Sequence, residues 1–175
     1  MEALTIRPAT EHDIETIQYI GSITYRDHFA SLWTPDGIER FLAADFTTDA
    51  LRTTFGSPAH HLWLLAYEAD GREPVGFAKI NWAMPEPIQG QRGAELQKIY
   101  FTKACVGKGY GKQLLDHIVA CARQHAQQQL WLDVLKSNTG AQQFYQRSGF
   151  RPLGEIPFKT DLHEIGMLVM TMGIA

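Results

Sequence analysis

The sequence predicts a single α/β domain built on a mixed sheet. Three observations carry this. The chain has 175 residues, the length of one domain. Apolar residues switch between a helical spacing, as at Ile14, Ile17 and Ile20, and short strand-like runs such as Leu62–Tyr67. No repeat, low-complexity stretch or linker divides the chain, so residues 1–175 are read as one domain.

The elements follow in order. Leu4-Thr-Ile-Arg7 alternates as a first strand. Thr10 with Asp13 three residues on resembles a capping box, and the apolar spacing behind it predicts a helix to about Tyr25. Thr34-Pro-Asp36 caps a second helix carrying Ile38, Phe41, Leu42 and Phe46, and Asp49–Phe55 forms a third short one. Leu62–Glu68, the turn Ala69–Arg72 and Val75–Trp82 read as a hairpin, followed by a loop over Met84–Gly93. The next strand covers Glu95–Phe101. Its apolar positions, Leu96, Ile99 and Phe101, step by three and then by two, which a bulge near Gln97-Lys98 accommodates. Leu114, Leu115, Ile118, Val119, Ala122 and Ala126 mark one face of a long helix, and Leu130–Leu135 a buried strand. Thr139–Ser148 is a short helix ended by Gly149, and Phe150–Leu153 with Met167–Met172 close the sheet.

Composition excludes several classes. Hydrophobic residues at 45% and charged residues at 20% suit a globular chain rather than a disordered one. The longest apolar runs fall short of the ~20 residues that span a bilayer. The N-terminus lacks the basic and apolar regions of a signal peptide, and two cysteines are no disulfide framework, so a cytoplasmic location is expected. A pI near 6.1 argues against nucleic acid as partner. The net charge of −3 is uneven: residues 1–50 carry −6, whereas residues 96–115 carry Lys98, Lys103, Lys108 and Lys112 without an acid.

Those lysines surround Gly107-Lys-Gly-Tyr-Gly111, between a strand and a helix. Loop amides and a helix N-terminus attract anions, and glycine lets the backbone approach them closely. A Walker A loop fails, because Gln113 follows Gly111-Lys112 and Val106 stands where the first glycine belongs. A dinucleotide fingerprint obtains Gly107 and Gly109 but meets Lys112 at its third glycine, with Asp133 placed to mimic the ribose-binding acid. The pyrophosphate loop of an acyl-CoA enzyme and a plain tight turn are the other readings. His117, Cys121 and His125 repeat every four residues, but with no fourth ligand they read as the polar flank of a helix, and no metal is expected.

Downstream lies Asn138-Thr-Gly-Ala141-Gln-Gln-Phe144-Tyr145-Gln-Arg-Ser-Gly149-Phe150. With this segment the chain resembles the GNAT superfamily of N-acetyltransferases over essentially its whole length. The loop pattern Q/R-x-x-G-x-G/A falls on Val106, Gly107, Lys108, Gly109, Tyr110 and Gly111, with Val106 departing from the family's Gln or Arg. The second signature is met by Asn138, Ala141, Phe144, Tyr145, Gly149 and Phe150. Within the superfamily, Tyr25–Phe29, Pro35–Phe46, Leu96–Phe101 and Leu130–Val134 are similar in layout to bacterial spermidine/spermine N-acetyltransferases.

The resemblance implies the single-domain GNAT fold, a mixed, mostly antiparallel sheet splayed at the Glu95–Phe101 strand. It implies acetyl-CoA as cosubstrate and a small primary amine, best matched by a polyamine, as acceptor. A protein amine, an antibiotic amine and a non-catalytic CoA-binding regulator are the alternatives, and a homodimer is compatible with all of them. The pantetheine arm would pair with the backbone of Ile99, Tyr100 and Phe101. The pyrophosphate would sit on residues 106–111 with Lys112, and Asn138 would contact the CoA arm. Tyr145 would be the general acid and Glu95 the base or water-holder. Tyr25, Asp27, His28 and Asp36 would line the acceptor side, where acids suit a cation.

Overall fold

The computed structural model describes residues 3–69 and 71–174. Asp70, within the expected hairpin turn, and Met1 and Glu2, within the stretch read for targeting, lie outside the described residues. Strand β1 (Thr5–Pro8) leads through a 3-10 turn at Glu11–Asp13 into α1 (Ile14–Phe29). The Thr10 N–H donates to Asp13 Oδ2 at 2.9 Å, and Arg7 holds the same carboxylate with 2.7 and 2.9 Å bonds. The capping pair therefore opens the 3-10 turn, and the α-helix begins after it. Helix α1 also continues past its expected end at Tyr25, because Tyr25 stacks on Phe41 at 4.4 Å and Phe29 packs edge-on to Tyr100 at 5.6 Å. Helix α2 (Pro35–Phe46) starts as its cap predicts, with Thr34 Oγ1 accepting the Gly37 N–H at 3.0 Å. Helix α3 (Thr48–Phe55) follows.

Strands β2 (His61–Tyr67), β3 (Pro74–Pro85) and β4 (Arg92–Phe101) form an antiparallel meander. The loop expected over Met84–Gly93 shrinks to residues 86–91. The cause is Glu86, only 2% exposed, whose carboxylate accepts the N–H groups of Ile88, Gln89 and Gln91 at 2.6–3.0 Å. Burial alone would raise this carboxyl, but the amides outweigh it and hold its pKa below the ordinary value. A depressed folded pKa stabilises above the unfolded value of about 4.3, and that stability is lost as pH falls through the folded pKa. Glu86→Ala should cost about 1–3 kcal/mol in urea unfolding at pH 7, with the deficit shrinking at acid pH. An equal deficit at both pH values would contradict this account of the turn.

Helix α4 (Tyr110–Gln124), β5 (Gln129–Leu135), α5 (Thr139–Arg147), β6 (Arg151–Ile156) and β7 (Met167–Gly173) complete the chain. Gly149, at φ +101°, ends α5 as its sequence position predicts. Among the described residues the seven strands run β1-β2-β3-β4-β5-β7-β6, and only β4 and β5 are parallel. Leu114, Leu115, Ile118 and Ala122 of α4 pack on one sheet face against Leu64, Ile80 and Leu132. Ile17, Ile20, Leu42 and Leu51 of the first three helices pack on the other face against Trp63, Leu65 and Phe77.

Two features of β4 position the site. Its pairing with β5 is confined to Ala94↔Leu130 and Glu95↔Trp131, after which the two strands diverge. Toward β3, Leu96 pairs with Ile80 and Lys98 with Lys79, leaving Gln97 as the extra residue of a bulge where the apolar spacing places one. The connection between β6 and β7, in contrast, has no advance signal. It reaches the start of α2, where Asp161 accepts the Thr34 N–H at 3.0 Å as well as the Thr34 hydroxyl. A Cβ on Gly37 would sit 2.1 Å from Asp161 Oδ2, so glycine is required for this close approach.

Candidate active site

The divergence of β4 and β5 opens a cleft of about 1200 Å³. At one end lies the glycine loop. Gly107 and Gly109 stand at φ +83° and +79°, the left-handed region that other residues adopt only with strain, and Gly109 caps α4. The first-turn amides of α4 have no partner within the helix and carry its positive dipole end toward the cleft. Val106, Gly107, Gly109, Tyr110, Gly111 and Lys112 line this end. Gly109→Ala should weaken binding of an anionic ligand here about tenfold, since left-handed backbone costs a residue with a Cβ about 1–2 kcal/mol. Calorimetric titration with acetyl-CoA measures this, and unchanged affinity would refute it.

The four lysines of the basic segment have separate destinations. Lys108 Nζ donates to Glu68 at 2.7 Å, and the Tyr110 hydroxyl donates to the same oxygen at 2.9 Å, which braces the loop against the end of β2. Lys112 pairs with Asp116 one turn along α4. Lys103 lies 3.8 Å from Asp27. Lys98 is buried on the face covered by α1 and α2, 2.7 Å from Asp45, with its ammonium over the rings of Phe41 and Phe46. The expected convergence of this charge on the loop is thus confined to Lys108 and Lys112, and of these Lys112 lines the cleft.

Along the cleft floor, the edge of β4 facing β5 has no strand partner from Leu96 onward among the described residues. Ile99, Tyr100 and Phe101 lie on this stretch, paired on their other side with Ala78, Phe77 and Gly76 of β3. His28 reaches the strand's end, with Nε2 2.9 Å from the Phe101 carbonyl oxygen. Across the opening, Asn138 Oδ1 accepts the Ala141 N–H at 3.1 Å and so caps α5. Tyr145, 8% exposed, lies between the rings of Phe144 and Phe150 and borders the cleft. Burial pushes its phenol above the ordinary pKa, and the charge of Asp133 adds to the effect. Its hydroxyl therefore keeps its proton at neutral pH.

The far end is acidic with aromatic walls. Glu95, Asp45 and Asp133 line it together with Tyr25, Trp33, Phe41 and Phe158, and Lys98, paired with Asp45, adds an ammonium group among them. Burial raises the Asp133 carboxyl, the charge of Glu95 raises it further, and Lys98 opposes both. Glu95 accepts a 2.7 Å hydrogen bond from Asn81 Nδ2. Asp27 and Asp36 lie outside this lining, the first beside Lys103 and the second in the first turn of α2. Asp45 and Phe158 are among the cleft residues that carried no site role in the sequence, and Asp133 entered there only as a mimic of a ribose-binding acid. Asp133 did carry a signal, a lone charge within the apolar strand Leu130–Leu135.

The comparisons with known proteins bear on this geometry. Residues 25–150 match the pattern of the Acetyltransferase (GNAT) family. The chain belongs to that family. This acetyltransferase is 28% identical over 160 residues to an uncharacterized N-acetyltransferase in the pepI 3′ region of Lactobacillus delbrueckii subsp. lactis, covering 90% of each chain. It is 30% identical over 122 residues to the uncharacterized N-acetyltransferase YycN of Bacillus subtilis, covering 70% of this chain and 74% of that one. Among solved structures, the paiA N-acetyltransferase of Thermoplasma acidophilum in complex with coenzyme A superposes with a TM-score of 0.79. Identity there is 19%, with 98% of this chain and 99% of that one covered. An acetyltransferase from Thermus thermophilus gives 0.72 at 19% identity, with 99% of both chains covered. The likeness to these structures shows that the acetyltransferase has the GNAT fold, as its splayed sheet anticipates.

Proposed function

We propose that this acetyltransferase moves the acetyl group of acetyl-CoA to a primary amine of a polyamine such as spermidine or spermine, in the cytoplasm. One observation carries the reading. A single cleft joins a helix N-terminus with a glycine loop, suited to a pyrophosphate, to an end holding Asp45, Glu95 and Asp133. An anionic donor and a cationic acceptor would enter from opposite ends. Aromatic walls from Tyr25, Trp33 and Phe41 would cover the methylene stretches between the charges.

Each residue then has a chemical task. The open backbone edge of Ile99–Phe101 would pair with the pantetheine amides, as an added strand does. The Gln97 bulge takes β4 out of register, so that an amide there would be available to the acetyl oxygen as negative charge develops on it. An alkylamine with pKa near 10 arrives protonated, and Glu95 would take that proton directly or through one water. The freed nitrogen would attack the thioester carbon, Tyr145 would protonate the departing thiolate as the C–S bond breaks, and the proton that the new amide nitrogen sheds would restore the phenol. Asp133, and the Asp45 oxygen that Lys98 does not hold, would take the remaining ammonium groups.

Calorimetric titration with acetyl-CoA and with NADH, followed by a thiol-release assay over a panel of amines, tests the reading. Binding of acetyl-CoA and thiol release with spermidine or spermine are expected. Binding of NADH alone, or tight acetyl-CoA binding with no thiol released for any amine, would refute it.

A further inference from the structure

We infer that Asn81 and His61 form a positioning relay for Glu95, with Asn81 orienting the carboxylate and His61 orienting Asn81; the inference rests on Glu95 acting as the base. The observation is a row across three strands. Register places His61 opposite Asn81 and Asn81 opposite Glu95. The three side chains share the sheet face covered by α1–α3, and they are bonded in sequence. His61 Nδ1 lies 2.7 Å from Asn81 Oδ1, and Asn81 Nδ2 donates to Glu95 Oε2 at 2.7 Å.

Chemistry fixes the direction of this chain. Asn81 is 4% exposed, so both ends of its amide need partners within the protein. Its carbonyl can only accept, so the proton between it and His61 is carried on Nδ1. Its NH2 can only donate, which matches the ionised form of Glu95 that a base requires. Turning the amide over would set its carbonyl lone pairs against the Glu95 carboxylate and its NH2 against the Nδ1 proton of His61. The histidine therefore keeps the donor end of Asn81 aimed at Glu95 and leaves Glu95 Oε1 for the incoming amine.

The surroundings make this orientation consequential. Lys79 and Asp133 both place charge near Glu95, and a carboxylate free to rotate would swing toward the ammonium group of Lys79. Asn81 is the side chain that hydrogen bonds to Glu95 among the described residues. His61 stands at the other end of the row, beside His60 and at the edge of a second hollow that Glu11 and His125 also line. It contacts neither the cleft nor the loop, so its effect on catalysis must pass through Asn81.

The test is a mutant cycle in the thiol-release assay. Asn81→Leu should lower kcat about tenfold with both KM values within about twofold. The near-isosteric Asn81→Asp, which keeps the shape but sets a second carboxyl group against Glu95, should lower kcat as well. His61→Leu should lower kcat, and His61→Asn, whose amide can stand in for Nδ1, should restore it. In the Glu95→Gln background none of these changes should reduce kcat further, because residues acting through one group are not additive. Losses that multiply with Glu95→Gln, or confined to KM, or absent, would overturn the relay while leaving Glu95 as the base. A Glu95→Gln enzyme of undiminished kcat would instead overturn the base assignment itself, and the relay with it.

Discussion

Glu95→Gln should lower kcat by about 10²–10⁴-fold and leave the acetyl-CoA dissociation constant within about twofold. The substitution keeps the size of the side chain and its hydrogen-bonding reach, so Asn81 retains a partner, but it removes the carboxylate proposed to accept the ammonium proton. Raising the pH should recover part of the loss, because the fraction of free amine grows as pH approaches the amine pKa near 10. The neighbouring carboxylate separates binding from proton transfer. Asp133→Asn removes a charge from the acceptor end, so it should raise KM for a polyamine while kcat falls little. The reverse pattern, with kcat lost in Asp133→Asn and kept in Glu95→Gln, would exchange the two roles. Steady-state kinetics on the two variants decides between them.

Tyr145→Phe should lower kcat about 10–100-fold with acetyl-CoA affinity unchanged. The phenyl ring preserves the packing against Phe144 and Phe150. What disappears is the hydroxyl, whose proton burial holds in place well above neutral pH. A thiolate with pKa near 8.5 leaves more readily when a donor meets it, so the effect belongs to the transition state rather than to binding. An equal loss in affinity would mean that Tyr145 shapes the donor site instead, and an unaffected rate would remove it from the chemistry.

Local spacing made much of this molecule legible in advance. The helical stripe of α4, the Thr34 cap of α2 and the Gly149 stop of α5 depend on neighbours a few residues away, and the sequence displays those. The bulge was legible too, because an extra residue shifts the apolar period of β4 by one. Its consequence was harder to see. Without Gln97 as an extra residue, Lys98 would share the face of Leu96 beneath α4. With it, Lys98 shares the face of Glu95 and meets Asp45. Reading Lys98 as part of a loop charge followed from counting lysines without carrying the bulge through the register.

Long-range partners left no trace in the spacing. Asp161 is far from Thr34 in sequence, and Glu86 shortens its turn through backbone amides that any residue carries. The His61–Asn81–Glu95 row needs the register of three strands at once, and its residues stand 20 and 14 positions apart in the chain. Among acids, helix position alone could not separate Asp45, inside the cleft, from Asp27 and Asp36, outside it, because α1 and α2 cross at an angle set by packing.

The proposed acetyl transfer to a polyamine would depend on an acceptor end rich in carboxylates facing the glycine loop. Its most direct test is kcat/KM for spermidine against that for an uncharged-tail primary amine of similar length, such as hexylamine, at low ionic strength. Spermidine should be preferred by more than about tenfold, the equivalent of one favourable charge contact in a partly enclosed site, and salt should erode the preference. Equal rates for the two amines, or a preference for hexylamine, would contradict it.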